Sequence, residues 1–294
     1  MKNPSIVKGL SEEQLELLPT EEDVAFYEEH GWFISKKIIS ECVLDEAFLG
    51  AEKFYRGETD ATIPYVTGYR DWKPGDTDAV RNNQHVSYRN KELRKLVLQP
   101  IIGAIATKLT RSKGVRLFED TLVYKSPISN NTKDGVVGWH TDYSYSSVCT
   151  SNKMLSAWIP FHDIDEKRAP LIVIDGSHKW KGNKHMRTFN NQNLKEIENT
   201  FFEAGKKVVE VPMVLEKGQV SFHHCLTIHG SYPNYSDKVR LALAVYLQDY
   251  DNHYQVYKNQ GKRIHHFLDS MCRKLPNGNP DYSDPVIFPT LWSE

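Results

Sequence analysis

The stretch Gly138–Tyr143 restricts the fold more than any other part of the sequence, because it places a histidine and an aspartate two residues apart. Residues i and i+2 of an extended strand project from the same face, so His140 and Asp142 are predicted to point side by side into one cavity. An imidazole and a carboxylate on one face, completed by a distant second histidine, form the facial triad of non-heme Fe(II) oxygenases. A lone His-x-Asp pair also occurs by chance on protein surfaces. The sequence downstream must therefore distinguish a metal site from a chance pair.

Three later histidines are candidates for the missing ligand: His223, His224 and His229. Adjacent residues of a strand face opposite ways, so only one of the first two can face a metal. His229 follows Asp142 by 87 residues, which lets the chain leave the first hairpin and return on a facing strand. Arg240 lies 11 residues further on, and a guanidinium close to a metal suits the bidentate binding of a carboxylate.

From about residue 115 the sequence consists of short runs of β-branched and aromatic residues between turn residues, which indicates a β-sandwich or barrel. We predict a mainly β protein with flanking helices and a double-stranded β-helix core of the jelly-roll or cupin-like type. Residues 1–294 are expected to form one domain, with a helical part at about 20–110, the core at about 115–250 and a tail at 251–294. The predicted strands are 115–124, 154–161, 169–174, 207–214, 219–223 and 240–247, and 176–202 is a polar insertion with some helix at its end.

Helices are predicted from capping residues and from apolar spacing. Thr20 with Asp23 is a helix-start signal of the capping-box type, and this helix is expected to stop near Gly31. A second helix over 40–55 carries an apolar stripe that we interpret as core packing. Residues 57–79, rich in Gly, Pro and Asp, are predicted to be a long loop, which is either a lid or disordered, and we favour a lid. The remaining predictions are a short buried strand at 32–34, helices at 90–98 and 100–110, and a helix over 261–268 at the start of the tail.

The composition narrows the class of partner. The 294 residues include 39% hydrophobic and 26% charged residues, as in ordinary soluble globular proteins. A formal net charge of −1 gives no reason to expect nucleic acid or an anionic membrane as a partner, and no stretch is long and apolar enough to span a bilayer. The four cysteines form no C-x-x-C pair, which argues against structural zinc and against a disulfide-rich secreted scaffold. We therefore predict a cytoplasmic protein that binds neither nucleic acid nor a membrane.

Taken together, these residues resemble the phytanoyl-CoA dioxygenase family, whose members are Fe(II)- and 2-oxoglutarate-dependent oxygenases on a double-stranded β-helix. The resemblance covers roughly residues 20–250 and is most specific from 121 to 240. It rests on the order, spacing and type of His140, Asp142, Trp158, Gly176-Ser177-His178, Phe222-His223, His229-Gly230-Ser231, Asn234, Ser236 and Arg240.

The resemblance implies an iron site made of His140, Asp142 and His229, which selects His229 over the two earlier histidines. It implies 2-oxoglutarate and O₂ as co-substrates, with succinate and CO₂ released. The expected reaction is hydroxylation of a small molecule, or its desaturation or oxidative cyclisation, in secondary, lipid or small-acid metabolism. The carboxylate of Asp142 argues against halogenation, because related iron halogenases have a small residue at this position.

The resemblance also implies a co-substrate pocket. Arg240 would pair with the distal carboxylate of 2-oxoglutarate, assisted by the hydroxyl of Ser231. Trp158 would line the pocket, and Thr121 takes the position of another contact. A lysine of the family has no clear counterpart, and Gln84 is the candidate in the matching region. Lys125, after the strand that carries Thr121, is interpreted as structural.

Two other functions remain open: a non-catalytic β-helix protein that binds a ligand, and a cupin-type metal enzyme that needs no 2-oxoglutarate. The pair Arg168-Ala169 replaces an Asn-Gly pair of the family and is expected to reshape the mouth of the pocket. The oligomeric state cannot be read from the sequence. Aromatic and basic residues near the predicted mouth suit a small amphipathic acid or a natural-product scaffold; they are Tyr65, Tyr69, Arg70, Trp72, Tyr143, Tyr145, Lys184 and Arg187.

Overall fold

The computed structural model describes residues 9–63, 71–76, 79–128 and 135–294. The helices are α1 (Glu12–Leu15), α2 (Glu21–His30), α3 (Glu41–Tyr55), α4 (Lys91–Val97), α5 (Pro100–Leu109) and α6 (Leu194–Glu203). The strands are β1 (Trp32–Ile34), β2 (Val80–Gln84), β3 (Gly114–Lys125), β4 (Val137–His140), β5 (Leu155–Pro160), β6 (Ile172–Ile174), β7 (Glu210–Pro212), β8 (Ser221–His224), β9 (His229–Ser231), β10 (Arg240–Asp249), β11 (Tyr257–Asn259), β12 (Lys262–Ile264) and β13 (Thr290–Ser293). Each predicted strand of the core overlaps an observed one.

Two antiparallel sheets carry most of these strands, which confirms the prediction of a mainly β protein with flanking helices. The larger sheet has the order β1-β8-β5-β10-β3-β13, with β2 also paired to β3. The smaller sheet has the order β4-β9-β6-β7, and β11 and β12 form a separate hairpin. Neighbours in both sheets run antiparallel.

The central strand β10 shows how the layers are arranged. Leu241, Leu243 and Val245 pack into the cluster that α2–α5 share with the larger sheet. Ala242 and Ala244 alternate with them and pack against side chains of the smaller sheet. Successive side chains of a strand point to opposite faces, so the larger sheet has a helix-covered face and an inner face toward the smaller sheet. The inner face carries the residues of the candidate site.

The predicted helix starts and apolar stripes agree with the structure. The Thr20 hydroxyl accepts a hydrogen bond from the Asp23 backbone N–H at 3.2 Å, and the Asp23 carboxylate accepts one from the Thr20 N–H at 2.8 Å. This reciprocal capping box satisfies two N–H groups at the start of α2. On α3, the stripe predicted to pack in the core is buried at Leu44, Ala47 and Ala51.

Gly31 ends α2 and ties it to the segment that precedes β9. Its φ is +78°, and its carbonyl accepts hydrogen bonds from the His224 N–H at 2.9 Å and the Thr227 hydroxyl at 2.8 Å. A Cβ on Gly31 would lie 2.3 Å from Nδ1 of His178 and 2.7 Å from Oγ1 of Thr227. A side chain at this position therefore meets both a backbone penalty and a steric one.

Gly31→Ala is expected to destabilise the protein more than Gly57→Ala does. Both glycines have positive φ, but a Cβ on Gly57 would meet no atom within 4 Å. The backbone penalty of about 1–2 kcal/mol is common to both variants. Overpacking adds roughly 1–3 kcal/mol for Gly31→Ala alone. Urea unfolding measures the difference, and equal midpoints for the two variants would contradict this packing.

The tail differs from the prediction, because the expected helix over 261–268 does not form. Residues Tyr257–Asn259 and Lys262–Ile264 pair as a hairpin instead, and a 3₁₀ turn, Phe267–Ser270, follows. Gln260 and Gly261, the two residues between the strands, have φ of +48° and +76°. Positive φ at both central residues is typical of two-residue hairpin turns.

Residues 57–63, 71–76 and 79 contain no helix or strand, as the predicted loop requires. The other residues of the predicted loop, 64–70 and 77–78, lie outside the described residues. The strand β2, which directly follows, was not predicted, because its sequence Val80-Arg81-Asn82-Asn83-Gln84 is mostly polar. None of the helices in the described ranges has the length and apolar character needed to cross a membrane.

Candidate metal centre

The His140 and His229 side chains meet on neighbouring strands of the smaller sheet. His140 is the last residue of β4, His229 is the first of β9, and the two are direct partners in the antiparallel ladder. Their ring centroids are 4.2 Å apart. The 87-residue separation in sequence thus becomes one cross-strand pair.

Asp142 reaches the same place by a route that differs from the prediction. The strand β4 ends at His140, and Asp142 begins a 3₁₀ turn, Asp142–Ser144. A continuous strand through both residues was therefore wrong. The intervening Thr141 is still extended, with φ −120° and ψ 142°, so the alternation of side chains persists for this one step.

The three side chains form a compact group that can hold a metal ion. Their ligand atoms all lie within 4.8 Å of one another, and all three residues are buried. Oδ1 of Asp142 is 3.9 Å from Nε2 of His140 and 3.5 Å from Nε2 of His229. Each Nδ1 is held by a backbone carbonyl, that of Gly138 at 2.8 Å and that of Thr227 at 3.0 Å. This arrangement directs both Nε2 lone pairs to the centre, as second-shell bonds do in metal sites.

The protonation states of the group suit a divalent cation. Burial lowers the pKa of both His140 and His229, which favours the neutral imidazole that can bind a metal. Burial by itself would raise the pKa of Asp142, but the neighbouring His229, His223 and His140 outweigh it and hold that pKa well below its usual range. Two neutral imidazoles and one carboxylate are the donor set of a non-heme Fe(II) facial triad, so the residues fit this metal.

The second carboxylate oxygen of Asp142 is held by groups on the inner face of the larger sheet. Oδ2 accepts a hydrogen bond from Oγ of Ser156 at 2.5 Å and lies 3.1 Å from Nε2 of His223. His223 therefore lies beside the group and outside it. His224 faces away, with its Nδ1 accepting a hydrogen bond from the Leu226 N–H at 3.1 Å. Ser156 was missed in the sequence, although it lies two residues before Trp158 on a predicted strand, which is a usable signal.

The residues predicted to contact the co-substrate lie along one row of the inner face. In the strand registers, Ala244 of β10 is opposite Trp158 on one side and Thr121 on the other, and Thr121 is in turn opposite Gln84. The Gln84 amide donates a hydrogen bond to Glu119 at 3.3 Å. The structure thus brings Trp158, Thr121 and Gln84 together across four neighbouring strands.

Arg240 begins β10 on the same face, four residues before Ala244. It is only 3% exposed, its Nε has no hydrogen-bond partner, and its Nη1 donates a 3.5 Å bond to the Val123 carbonyl. The guanidinium carbon lies 5.7 Å from the centre of the Trp158 ring. Burial lowers the pKa of Arg240 to about 10. Within the described ranges no carboxylate pairs with this cation, so it lacks the counter-ion that a buried charge needs.

Ser231, the last residue of β9, accepts a 2.5 Å hydrogen bond from Nζ of Lys125, which is fully buried. The sequence did not predict this contact.

Another contact that was not predicted joins the tail to the inner face, where Nε2 of His266 lies 2.9 Å from the carboxylate of Glu119. Nδ1 of His266 accepts from the Leu268 N–H, so Nε2 is the donor to Glu119. No local pattern links residues this far apart in the chain.

Aromatic and basic side chains of the insertion contact His140 and the two tyrosines that follow it, Tyr143 and Tyr145. The Phe189 ring is 5.0 Å from the His140 ring, and the Arg187 guanidinium lies 4.7 Å from the centre of the Tyr145 ring. Lys184 approaches the Tyr143 ring at 5.3 Å. Of the other predicted mouth residues, Trp72 contacts Tyr55 and Arg81, and Tyr65, Tyr69 and Arg70 lie outside the described residues.

Comparisons with known proteins agree with this geometry. The family model described as phytanoyl-CoA dioxygenase (PhyH) matches residues 27–242. The peroxisomal phytanoyl-CoA dioxygenase of Bos taurus is 25% identical over 234 residues, covering 78% of this chain and 68% of the bovine protein. The non-heme α-ketoglutarate-dependent carbocyclase SnoK from nogalamycin biosynthesis has a similar structure, with a TM-score of 0.69 and 24% identity, covering 92% of this chain and 96% of that chain. The epimerase SnoN, in complex with Fe³⁺, α-ketoglutarate and nogalamycin RO, gives a TM-score of 0.65 and 21% identity, covering 92% and 98%.

The fold and the His-Asp-His group define an iron- and 2-oxoglutarate-dependent dioxygenase, which confirms the predicted enzyme class and its co-substrate. More specifically, the chain belongs to the phytanoyl-CoA dioxygenase family, whose model covers most of its length.

Proposed function

We propose that this enzyme oxidises a small molecule with O₂ and 2-oxoglutarate at an Fe(II) ion held by His140, Asp142 and His229. The observation that carries the proposal is the convergence of two imidazoles and one carboxylate in a buried group whose ligand atoms all lie within 4.8 Å of one another. We further propose that the two sheets are the halves of a double-stranded β-helix and that residues 1–294 form one oxygenase domain. Four free cysteines suit a cytoplasmic location.

Different side chains of the inner face would bind different parts of the co-substrate. Arg240 would hold the distal carboxylate of 2-oxoglutarate through a charge-assisted bidentate pair, with the Ser231 hydroxyl as a further donor. Trp158, Thr121 and Gln84 would line the remainder. The short side chains of Ala242 and Ala244, along β10 after Arg240, suit an extended dicarboxylate lying against the strand.

When bound, iron and 2-oxoglutarate supply the activation of O₂, with succinate and CO₂ as the products of the co-substrate. The protein would orient the metal ligands through Gly138, Thr227 and Ser156 and exclude water from the buried centre. Hydroxylation, desaturation and oxidative cyclisation start from the same site, and the placement of the substrate decides between them. The names of the relatives, a dioxygenase together with a carbocyclase and an epimerase, support a range of reaction outcomes.

The substrate is proposed to be a small amphipathic acid or a natural-product scaffold of secondary, lipid or small-acid metabolism. Its support is the pairing of basic and aromatic groups: Arg187 lies over Tyr145, whose ring centroid is 6.0 Å from that of His140, and Lys184 lies over Tyr143, the residue after Asp142. Rings offer apolar contact area, and the cations offer a partner for an acidic group.

The function is tested by incubating the Fe(II)-loaded protein with 2-oxoglutarate, O₂ and a panel of small acids and natural-product scaffolds, and by measuring succinate together with oxidised product. We expect one substrate to raise succinate formation in proportion to product. Product formed without consumption of 2-oxoglutarate would instead support a cupin-type enzyme. An iron-loaded protein that neither binds nor turns over 2-oxoglutarate with any substrate would contradict the proposal and favour a binding protein.

Ser156→Ala is expected to weaken Fe(II) binding by about 10–100-fold, the usual cost of removing an outer partner of a metal ligand. The loss follows because Oδ2 of Asp142 would keep only its contact with His223. Ser221→Ala is the matched control, since Ser221 is equally buried on the inner face and its hydroxyl has no hydrogen-bond partner. Anaerobic competition with a chromophoric chelator measures both affinities. Equal affinities for the two variants would show that Ser156 does not support the ligand.

A further inference from the structure

Lys125 is an unusual residue to find in the interior of this protein. It ends β3, its side chain is fully buried, and its Nζ donates to three oxygens: Oγ of Ser231 at 2.5 Å, the Ser231 carbonyl at 3.2 Å and the Tyr232 carbonyl at 2.9 Å. All three acceptors are neutral. Lysine is rarely buried without a partner of opposite charge, so this ammonium needs a reason beyond packing.

A second cation, Arg240, lies next to Lys125 and raises the free-energy cost of burying its ammonium. Arg240 is its direct partner across the β3–β10 ladder, and like charges directly opposite on neighbouring strands repel. Burial, and then the charge of Arg240, lower the pKa of Lys125 well below its usual range. In the described part of the chain neither cation forms an ion pair. Two buried cations side by side without an acid form a site for an anion.

The bond from Lys125 also determines what the Ser231 hydroxyl can do. An ammonium can only donate, so Oγ of Ser231 must be the acceptor of the 2.5 Å bond. The hydroxyl hydrogen of Ser231 is then left to donate to another acceptor. Ser231 lies two residues after His229, within the segment that reaches the metal centre.

We propose that Lys125 is a positioning residue of the co-substrate pocket, which orients the Ser231 hydroxyl and adds a second positive charge beside Arg240 for the distal carboxylate of 2-oxoglutarate. This inference rests on the proposed function. It also replaces the interpretation of Lys125 as structural. A purely structural Lys125 would tie β3 to the chain after β9, and its loss would affect every ligand of the iron equally.

The test compares two 2-oxo acids that chelate iron in the same way. 2-Oxoglutarate has the distal carboxylate, and pyruvate lacks it. Each is titrated anaerobically into Fe(II)-loaded wild type, Lys125→Met and Lys108→Met, and the metal-to-ligand charge-transfer absorption is followed. Lys108 is the control, because its ammonium also donates to a backbone carbonyl, that of Pro19 at 3.1 Å, and it lies on α5, outside both sheets.

We expect Lys125→Met to lower the affinity for 2-oxoglutarate by about 10–100-fold, which is the scale of one lost hydrogen bond to a charged group. Pyruvate affinity is expected to stay within about twofold of wild type, as are both affinities of Lys108→Met. An unchanged 2-oxoglutarate affinity, or an equal loss for both acids, would overturn the inference. Absence of the absorption in wild type would overturn the proposed function itself, which keeps the two failures distinct.

A second variant covers the case in which Lys125→Met does not fold. Ser231→Ala keeps the lysine and removes the hydroxyl that it orients, so it is expected to show the same selective loss of 2-oxoglutarate. If both variants fold, the double variant is expected to lose less 2-oxoglutarate affinity than the product of the two single fold-losses, because the residues act as one unit. Loss of pyruvate binding in Ser231→Ala, or full additivity, would contradict the coupling.

Discussion

Replacing His229 with alanine is expected to abolish turnover and to reduce the affinity for Fe(II) by more than ~100-fold, because even an outer partner of a metal ligand is worth about 10–100-fold. The His229 imidazole is one of only three ligands in the group, and its Nε2 lies 3.5 Å from Oδ1 of Asp142. Its removal leaves one histidine and one carboxylate. Anaerobic Fe(II) titration and succinate release measure the two losses.

His223→Ala is the matched control for this variant. His223 is also buried, and its ring centroid is only 4.3 Å from that of His229, but it contacts the outer oxygen of Asp142. We expect it to retain iron with an affinity that falls by about 10–100-fold. If His223→Ala lost iron completely while His229→Ala kept it, the ligand assignment would be reversed.

Replacing Arg240 with leucine is expected to have the second-largest effect. It should lower the affinity for 2-oxoglutarate and leave the affinity for Fe(II) unchanged. Removing one partner of a buried, hydrogen-bonded charge pair costs about 2–5 kcal/mol, which corresponds to a loss of roughly 30–5,000-fold in affinity. Arg240 is suited to such a pair because it is buried, its Nε has no partner, and it lies on the inner face with Trp158. Anaerobic titration with 2-oxoglutarate measures the loss.

Arg116→Met controls for the removal of a partly buried arginine from the larger sheet. Arg116 lies on β3 at the opposite end from Lys125, where its guanidinium contacts the Tyr250 ring at 4.1 Å. Its 2-oxoglutarate affinity is expected to equal that of wild type. Full activity in Arg240→Leu would contradict the co-substrate pocket and favour a cupin-type enzyme.

The sequence predicted the group His140, Asp142 and His229 better than it predicted the strands that carry it. β4 and β9 span only four and three residues, too short for a recognisable alternation. The pairing of His140 and Asp142 required extended backbone only at Thr141, so it survived the early end of the strand. The choice of His229 over His223 came from the family resemblance, and in the structure only His229 belongs to the group.

Other features depend on contacts that a sequence pattern does not contain. A lysine at the end of a strand is normally exposed, and only the register of β3 against β10 reveals that Lys125 lies beside Arg240. The contact between Glu119 and His266 joins the core to the tail and has no local signal. The tail hairpin formed where a helix was predicted, because positive φ at Gln260 and Gly261 reverses the chain.

The measurement that tests the central claim most directly is an anaerobic titration of 2-oxoglutarate into the Fe(II)-loaded wild-type protein, with His140→Ala as the comparison. If the imidazoles of His140 and His229 and the carboxylate of Asp142 hold the iron, bidentate chelation will produce a metal-to-ligand charge-transfer band in wild type and none in His140→Ala. Iron binding without the band in wild type would contradict the 2-oxoglutarate pocket. A protein that binds no iron would contradict the metal centre itself.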